Sequence, residues 1–173
     1  PESLYPRGAS AVVADVRRNE TSPLSRLKTL NYLNNLLARR AARAAGADEA
    51  LFLNTRGDVA EGAASNVFIV RGRELLTPPA SAGALPGIAR ATVLELAPTL
   101  GLTPRESTLT LDSIRTADEA FLTNSLMEVL PLVRLDGAPI AGGRPGSATQ
   151  SLRAAYRALV SSTPASVHND VGT

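Results

Sequence analysis

Short apolar runs of strand length alternate along this chain with longer segments of helical periodicity, and that alternation limits the folds open to it. Gly8 to Val16 holds the run Ala-Ser-Ala-Val-Val-Ala and reads as a buried strand. From Pro23 and Ser25 to Gly46, the apolar positions Leu27, Leu30, Leu33, Leu37, Ala41 and Ala44 recur at three- and four-residue steps. This predicts one long helix with that stripe toward the core, Lys28 at the stripe's edge and Gly46 as its stop. Ala50–Leu53 and Asn66–Val70 read as two strands joined through the turn at Arg56-Gly57-Asp58, a hairpin or meander. Leu75–Pro79 is extended, since a residue before proline avoids the helical region. Residues 80–87 are loop, and a helix follows over residues 88–100 with Gly101 ending it. Thr108–Leu111 is strand-like, Leu111–Thr116 a short helix, Glu119–Asn124 and Met127–Leu135 strands, and Ala148–Val160 the last helix. Strands in runs with helices between them predict a mixed sheet with packed helices, an α/β or α+β domain.

The 173 residues suffice for one domain. Aromatic residues are only 3%, so the core must come from Leu, Val, Ile and Ala. With no cysteine there is no disulfide, iron–sulfur cluster or thiolate zinc site, and the single histidine, His168, lies in a polar tail. A histidine metal site and a Ser-His-Asp triad are therefore set aside, and no metal is expected. Neither a membrane span nor a signal peptide is found, so a cytoplasmic protein without a membrane partner is expected. The net charge is +2 with scattered basic residues and few aromatics to stack on bases, so no nucleic-acid partner is expected.

Of the 18 basic residues, 17 are arginine and one, Lys28, is lysine. A guanidinium cannot form an imine with an aldehyde, whereas a lysine amine can. On composition alone a coding bias toward arginine is the better explanation of the imbalance, so position has to decide. Glu61 lies among the small residues Gly62, Ala63 and Ala64, where a flat group has room to pack. Gly87-Ile88-Ala89 opens a helix, whose free N–H groups and dipole favour a phosphate. Thr123-Asn124-Ser125 closes a strand with three hydrogen-bonding side chains. Each of these has an ordinary explanation: an exposed helix lysine, a solvated hairpin glutamate, any helix start, an Asx or Ser turn.

Their order changes the weighing. Lys28-Thr-Leu-Asn-Tyr-Leu-Asn-Asn35, Glu61-Gly-Ala-Ala-Ser-Asn-Val-Phe68, Thr77-Pro-Pro with Leu85-Pro-Gly-Ile-Ala-Arg90, and Ala117-Asp-Glu-Ala-Phe-Leu-Thr-Asn-Ser125 with Pro131 follow one another over residues 5–137. Together they resemble the class IV (fold type IV) pyridoxal 5′-phosphate (PLP) enzymes, which include branched-chain and D-amino-acid aminotransferases and aminodeoxychorismate lyases. The resemblance implies that Lys28 carries the cofactor as a Schiff base and shuttles protons. Glu61 would pair with the pyridine nitrogen, keeping it protonated so that the ring accepts electrons. Tyr32 would lie near the phenolic oxygen or phosphate, and Leu85 would pack on the ring. Backbone groups at Gly87, Ile88 and Ala89, with Asn124 and Ser125, would hold the phosphate. Many relatives have threonine where this chain has Ala89, so only the N–H remains there.

The family also carries a smaller N-terminal domain that supplies a phosphate-binding arginine. Residues 1–7 are expected to be the interdomain linker, 8–161 the PLP-binding catalytic domain and 162–173 a polar tail, the N-terminal domain being absent from what is a fragment. The segments after Lys28 and before Pro131 are most similar to aminodeoxychorismate lyase, which forms 4-aminobenzoate and pyruvate. An aminotransferase on a small amino substrate is the second expectation, and a truncated non-catalytic domain the third. The resemblance also implies a homodimer.

Overall fold

The computed structural model describes residues 2–162; the tail beyond them, including His168, lies outside the described residues. One nine-stranded mixed sheet is built from β1 (Ala9–Val13), β2 (Glu49–Leu53), β3 (Val59–Gly62), β4 (Asn66–Arg71), β5 (Glu74–Thr77), β6 (Thr103–Glu106), β7 (Glu119–Asn124), β8 (Glu128–Leu135) and β9 (Ala138–Pro139). The helices are α1 (Leu4–Arg7), α2 (Leu33–Ala44), α3 (Ile88–Leu96), α4 (Leu111–Arg115) and α5 (Ser147–Ser162). The strands run in the order β3-β2-β1-β8-β7-β4-β5-β6, with β9 paired to β8. This is the mixed sheet with packed helices that the alternation predicts.

Period-two alternation sorts the side chains. Leu51 and Leu53 of β2 and Val59 of β3 share one aliphatic core with Val67 and Ile69 of β4 and Leu76 of β5. Those strands come from opposite halves of the sheet order, so the sheet curls around this core. The alternate residues Phe68, Val70 and Phe121 face outward and pack with Ala89 and Val93 of α3 and Leu152 and Tyr156 of α5. Phe68 and Phe121 are register partners with ring centroids 4.9 Å apart. On the other half, Ala50 and Phe52 meet Ala38 and Ala42 of α2. Each fully buried Leu, Ile or Phe adds roughly 1.5–3 kcal/mol of hydrophobic stabilisation, so the strands are held mainly by this sorting.

Three expectations are corrected. The long first helix does not form as predicted. Pro23–Arg26 is a 3-10 turn capped by Ser22, Leu27 is extended, and α2 begins only at Leu33. Lys28 therefore lies outside any helix. Nor is the leucine stripe buried: Leu27, Leu30, Leu33 and Leu37 are exposed, and α2 turns Asn35, Ala38 and Ala42 to the sheet. Small side chains on that face let the helix sit close against Phe52. Second, the hairpin partner of β2 is β3, paired antiparallel, while β4 pairs with β5 and β7. Glu61 is thus a strand residue and not part of a turn. Third, the strand near Thr108 is Thr103–Glu106, parallel to β5; Thr110 instead caps α4 through a reciprocal bond with Ser113.

Candidate active site

A cleft of about 520 Å³ opens where β3, the loop before α3, the end of β7 and the segment before α2 converge. Lys28, Tyr32, Glu61, Leu85, Gly87, Ile88, Ala89, Asn124 and Ser125 all line it. The fold therefore gathers into one cleft all nine residues that the resemblance implicates in holding a cofactor.

Glu61 is fixed first. On β3 it is the register partner of Phe52 and is only 3% exposed. Its Oε2 accepts a hydrogen bond from the Leu85 N–H at 2.8 Å, and its Oε1 lies 2.8 Å from Nη2 of Arg18. Burial raises its carboxyl to about 7. The Arg18 guanidinium and the Leu85 N–H oppose that rise, the buried Glu49 adds to it, and Lys28 draws it slightly down. Glu49 is itself held, accepting from Ser65 Oγ at 2.9 Å.

The Leu85 backbone is gripped on both sides. Its carbonyl accepts from Asn66 Nδ2 and from the Gly87 N–H, both at 2.8 Å. Gly87 is the N-cap of α3, and no side chain caps that end. The first amides of α3 have no partner one turn earlier in the helix and face the cleft end of the dipole. Lys28 projects from the irregular segment before α2, its Nζ 4.8 Å from the centroid of the Tyr32 ring, a cation–π distance.

Asn124 lines the cleft, but its side chain is committed to the protein. Its Nδ2 donates to the Ala64 carbonyl at 2.7 Å, and its Oδ1 accepts from the N–H groups of Leu126 and Met127. It shapes the rim, while Ser125, the next residue, is exposed at the cleft. Thr123, deeper in the cleft, has a buried Oγ1 that makes no hydrogen bond among the described residues.

Sequence reasoning missed Arg18, Asn35 and Asn66. Asn35 donates to the Ala63 carbonyl at 2.8 Å and so ties α2 to the turn between β3 and β4. An amide that holds a distant carbonyl leaves no local signal, and Arg18 is one of 17 arginines with nothing in its neighbours to set it apart. Among the described residues no cluster of His, Asp or Glu could hold a metal ion, and no helix is long and apolar enough to cross a membrane.

The family model for amino-transferase class IV matches residues 1–135. The chain is 43% identical over 130 residues to the branched-chain-amino-acid aminotransferase of Pseudomonas aeruginosa, covering 75% of this chain and 42% of that protein. It is 38% identical over 157 residues to the aminodeoxychorismate lyase of Bacillus subtilis, covering 91% of this chain and 53% of that protein. Its fold matches the crystal structure of the branched-chain amino acid aminotransferase from Thermobaculum terrenum in PLP-form with a TM-score of 0.85 and 40% identity, over 90% of this chain and 52% of that one. The chain spans about half the length of the relatives it matches. With the motifs in order, the fold in agreement and the family model spanning most of its length, the chain belongs to the amino-transferase class IV family.

Proposed function

We propose that the cleft binds PLP and that the chain carries the proton-transferring machinery of an enzyme acting on a small amino substrate. One observation carries this reading: a single cleft joins the only lysine of the chain, a buried carboxylate and an uncapped helix N-terminus. The residues fit the cofactor. Burial of the Thr123 hydroxyl without a partner is unfavourable by about 1–3 kcal/mol unless something in the cleft receives it. The amides at Ile88 and Ala89, with the Ser125 hydroxyl, suit a phosphate. Asn124 holds the rim beside them.

When bound, PLP supplies an aldehyde that captures amines and a protonated ring that takes up an electron pair. Lys28 would hold it and, through the same amine, take the proton from the nitrogen-bearing carbon of the substrate. The Glu61 carboxylate would accept the ring N–H, and the charge it meets there would draw its proton off. Leu85, held at both its N–H and its carbonyl, would pack on the ring, and Tyr32 would stand beside the Lys28 amine.

Within this chemistry we place the lyase reaction first, giving 4-aminobenzoate and pyruvate from 4-amino-4-deoxychorismate. The segments Asn31–Asn35 and Thr123–Met127 support it. The second reading, an aminotransferase for branched-chain or D-amino acids, is favoured by 43% identity to a branched-chain enzyme. The lyase asks Lys28 to remove one proton; the aminotransferase asks it to deliver that proton again at a second carbon. The homodimer is part of the proposal, supported by the exposed Leu27, Leu30, Leu33 and Leu37 beside the cleft.

The test is borohydride reduction after incubation with PLP, followed by mass mapping. A phosphopyridoxyl group on Lys28 is expected, and no cofactor absorbance with PLP in excess would leave the chain a non-catalytic domain. Pyruvate formed without an amino acceptor identifies the lyase; keto acid formed only with an acceptor identifies the aminotransferase.

A further inference from the structure

Arg18 is absent from the cleft lining, yet its guanidinium reaches three pieces of the site from behind. It borders a separate pocket with Asn19, Ser25, Asn35 and Phe52. Its Nη2 lies 2.8 Å from Glu61 Oε1 and donates to the Ser25 carbonyl at 2.9 Å, and its Nε donates to the Gly83 carbonyl at 3.1 Å. Ser25 is three residues before Lys28, and Gly83 two before Leu85. The Arg18 backbone is itself anchored, its N–H donating to the Leu53 carbonyl at 2.8 Å. We propose that Arg18 is a positioning residue, which fixes the Glu61 carboxylate and ties to it the two loops that carry Lys28 and Leu85.

The proposal rests on the reading of Glu61 as the partner of a cofactor ring. Three charged groups act on this carboxylate: Arg18 and Lys28 favour its ionised form, and Glu49 disfavours it. Arg18 is the strongest of the three, and with the Leu85 N–H it resists the effect of burial. Without it the carboxyl would be neutral at neutral pH and would hold a protonated ring nitrogen poorly. A planar fork is needed because one group must serve a carboxylate and two carbonyls lying in different directions.

The experiment titrates Glu61 in the cofactor-free chain by carbon NMR of its carboxyl, with E61Q identifying the resonance. R18Q, or R18M should R18Q fail to fold, is expected to raise the midpoint by about one pH unit, a tenfold change in the ionised fraction. R18K should restore it, since the charge returns. A second readout uses endoproteinase Lys-C, for which Lys28 is the single internal site: cleavage should run severalfold faster in the neutral variants, because the Ser25 tie is lost. PLP half-saturation should weaken at least fivefold in the same variants. A folded neutral variant with an unmoved Glu61 midpoint overturns the proposal, as does an R18K midpoint as high as that of R18Q. A wild-type chain that behaves as stated toward protons and protease but binds no PLP overturns the cofactor reading and leaves the role of Arg18 standing.

Discussion

Asn66 holds Leu85 in place: its Nδ2 donates to the Leu85 carbonyl at 2.8 Å, while the N–H of the same leucine reaches Glu61 at 2.8 Å. A Cβ at Gly87 would collide with Asn66 Oδ1, so the glycine is what leaves the amide its place. N66A and G87A should therefore damage the same bond by different routes. Each is expected to cost about 1–3 kcal/mol, by leaving a carbonyl short of a donor or by displacing the amide. The double variant should cost little more than the worse single one, with a coupling of about 1 kcal/mol in a urea-unfolding cycle. Strict additivity would mean that the two residues act independently.

Glu61 sets a pH dependence whose sign is fixed. Its carboxyl lies at about 7 in the fold against an ordinary 4.5, so the folded chain binds the proton more tightly than the unfolded one. That contribution is complete below the unfolded value and is lost as pH rises through the folded value. E61Q has no proton to lose there. Relative to the wild type it should gain roughly 3 kcal/mol between acid and mildly alkaline conditions, most of it across that window. Denaturant unfolding of both proteins at several pH values checks this, and parallel profiles would remove Glu61 from the account.

Lys28 is exposed, with its ammonium over the Tyr32 ring. K28R keeps the cation over that ring and should melt like the wild type. It should lose cofactor absorbance and the borohydride label together, because a guanidinium forms no imine. With no other lysine in the chain, any residual label should map to the N-terminal amine. A full label elsewhere in K28R would sink the assignment.

The parts of this site that were legible in the sequence owe it to rarity. One lysine among arginines, a glutamate among alanines and glycines, and Leu-Pro-Gly before a helical run stand out locally, and each lines the cleft. Strands β2, β4, β7 and β8 were legible because their two faces both meet apolar partners, leaving runs such as Val67–Val70. Arg18 was not legible: the partners of its half-buried guanidinium are Glu61, Ser25 and Gly83, segments that meet only when β3 pairs with β2. Asn35 and Asn66 were hidden for the same reason, since the carbonyls they hold lie 28 and 19 residues away. β3 was missed because a four-residue strand, Val-Ala-Glu-Gly, is too short to carry a periodicity and ends on two residues that disfavour strands.

The first helix was misread because leucine was taken as the mark of a buried face, and α2 reverses that rule. Ala42 is buried against the sheet, whereas Leu33 is 67% exposed. Close approach of the helix to Ala50 and Phe52 requires small residues there, so A42L should overpack the contact at a cost of about 1–3 kcal/mol. L30S and L33S, on the open side, should leave unfolding of the dilute chain within about 0.5 kcal/mol of wild type. If the helical periodicity had marked the core, the order would be inverted, with the leucine variants unfolding first and A42L tolerated. Urea midpoints for the three variants, measured at low protein concentration so that association plays no part, separate the two arrangements.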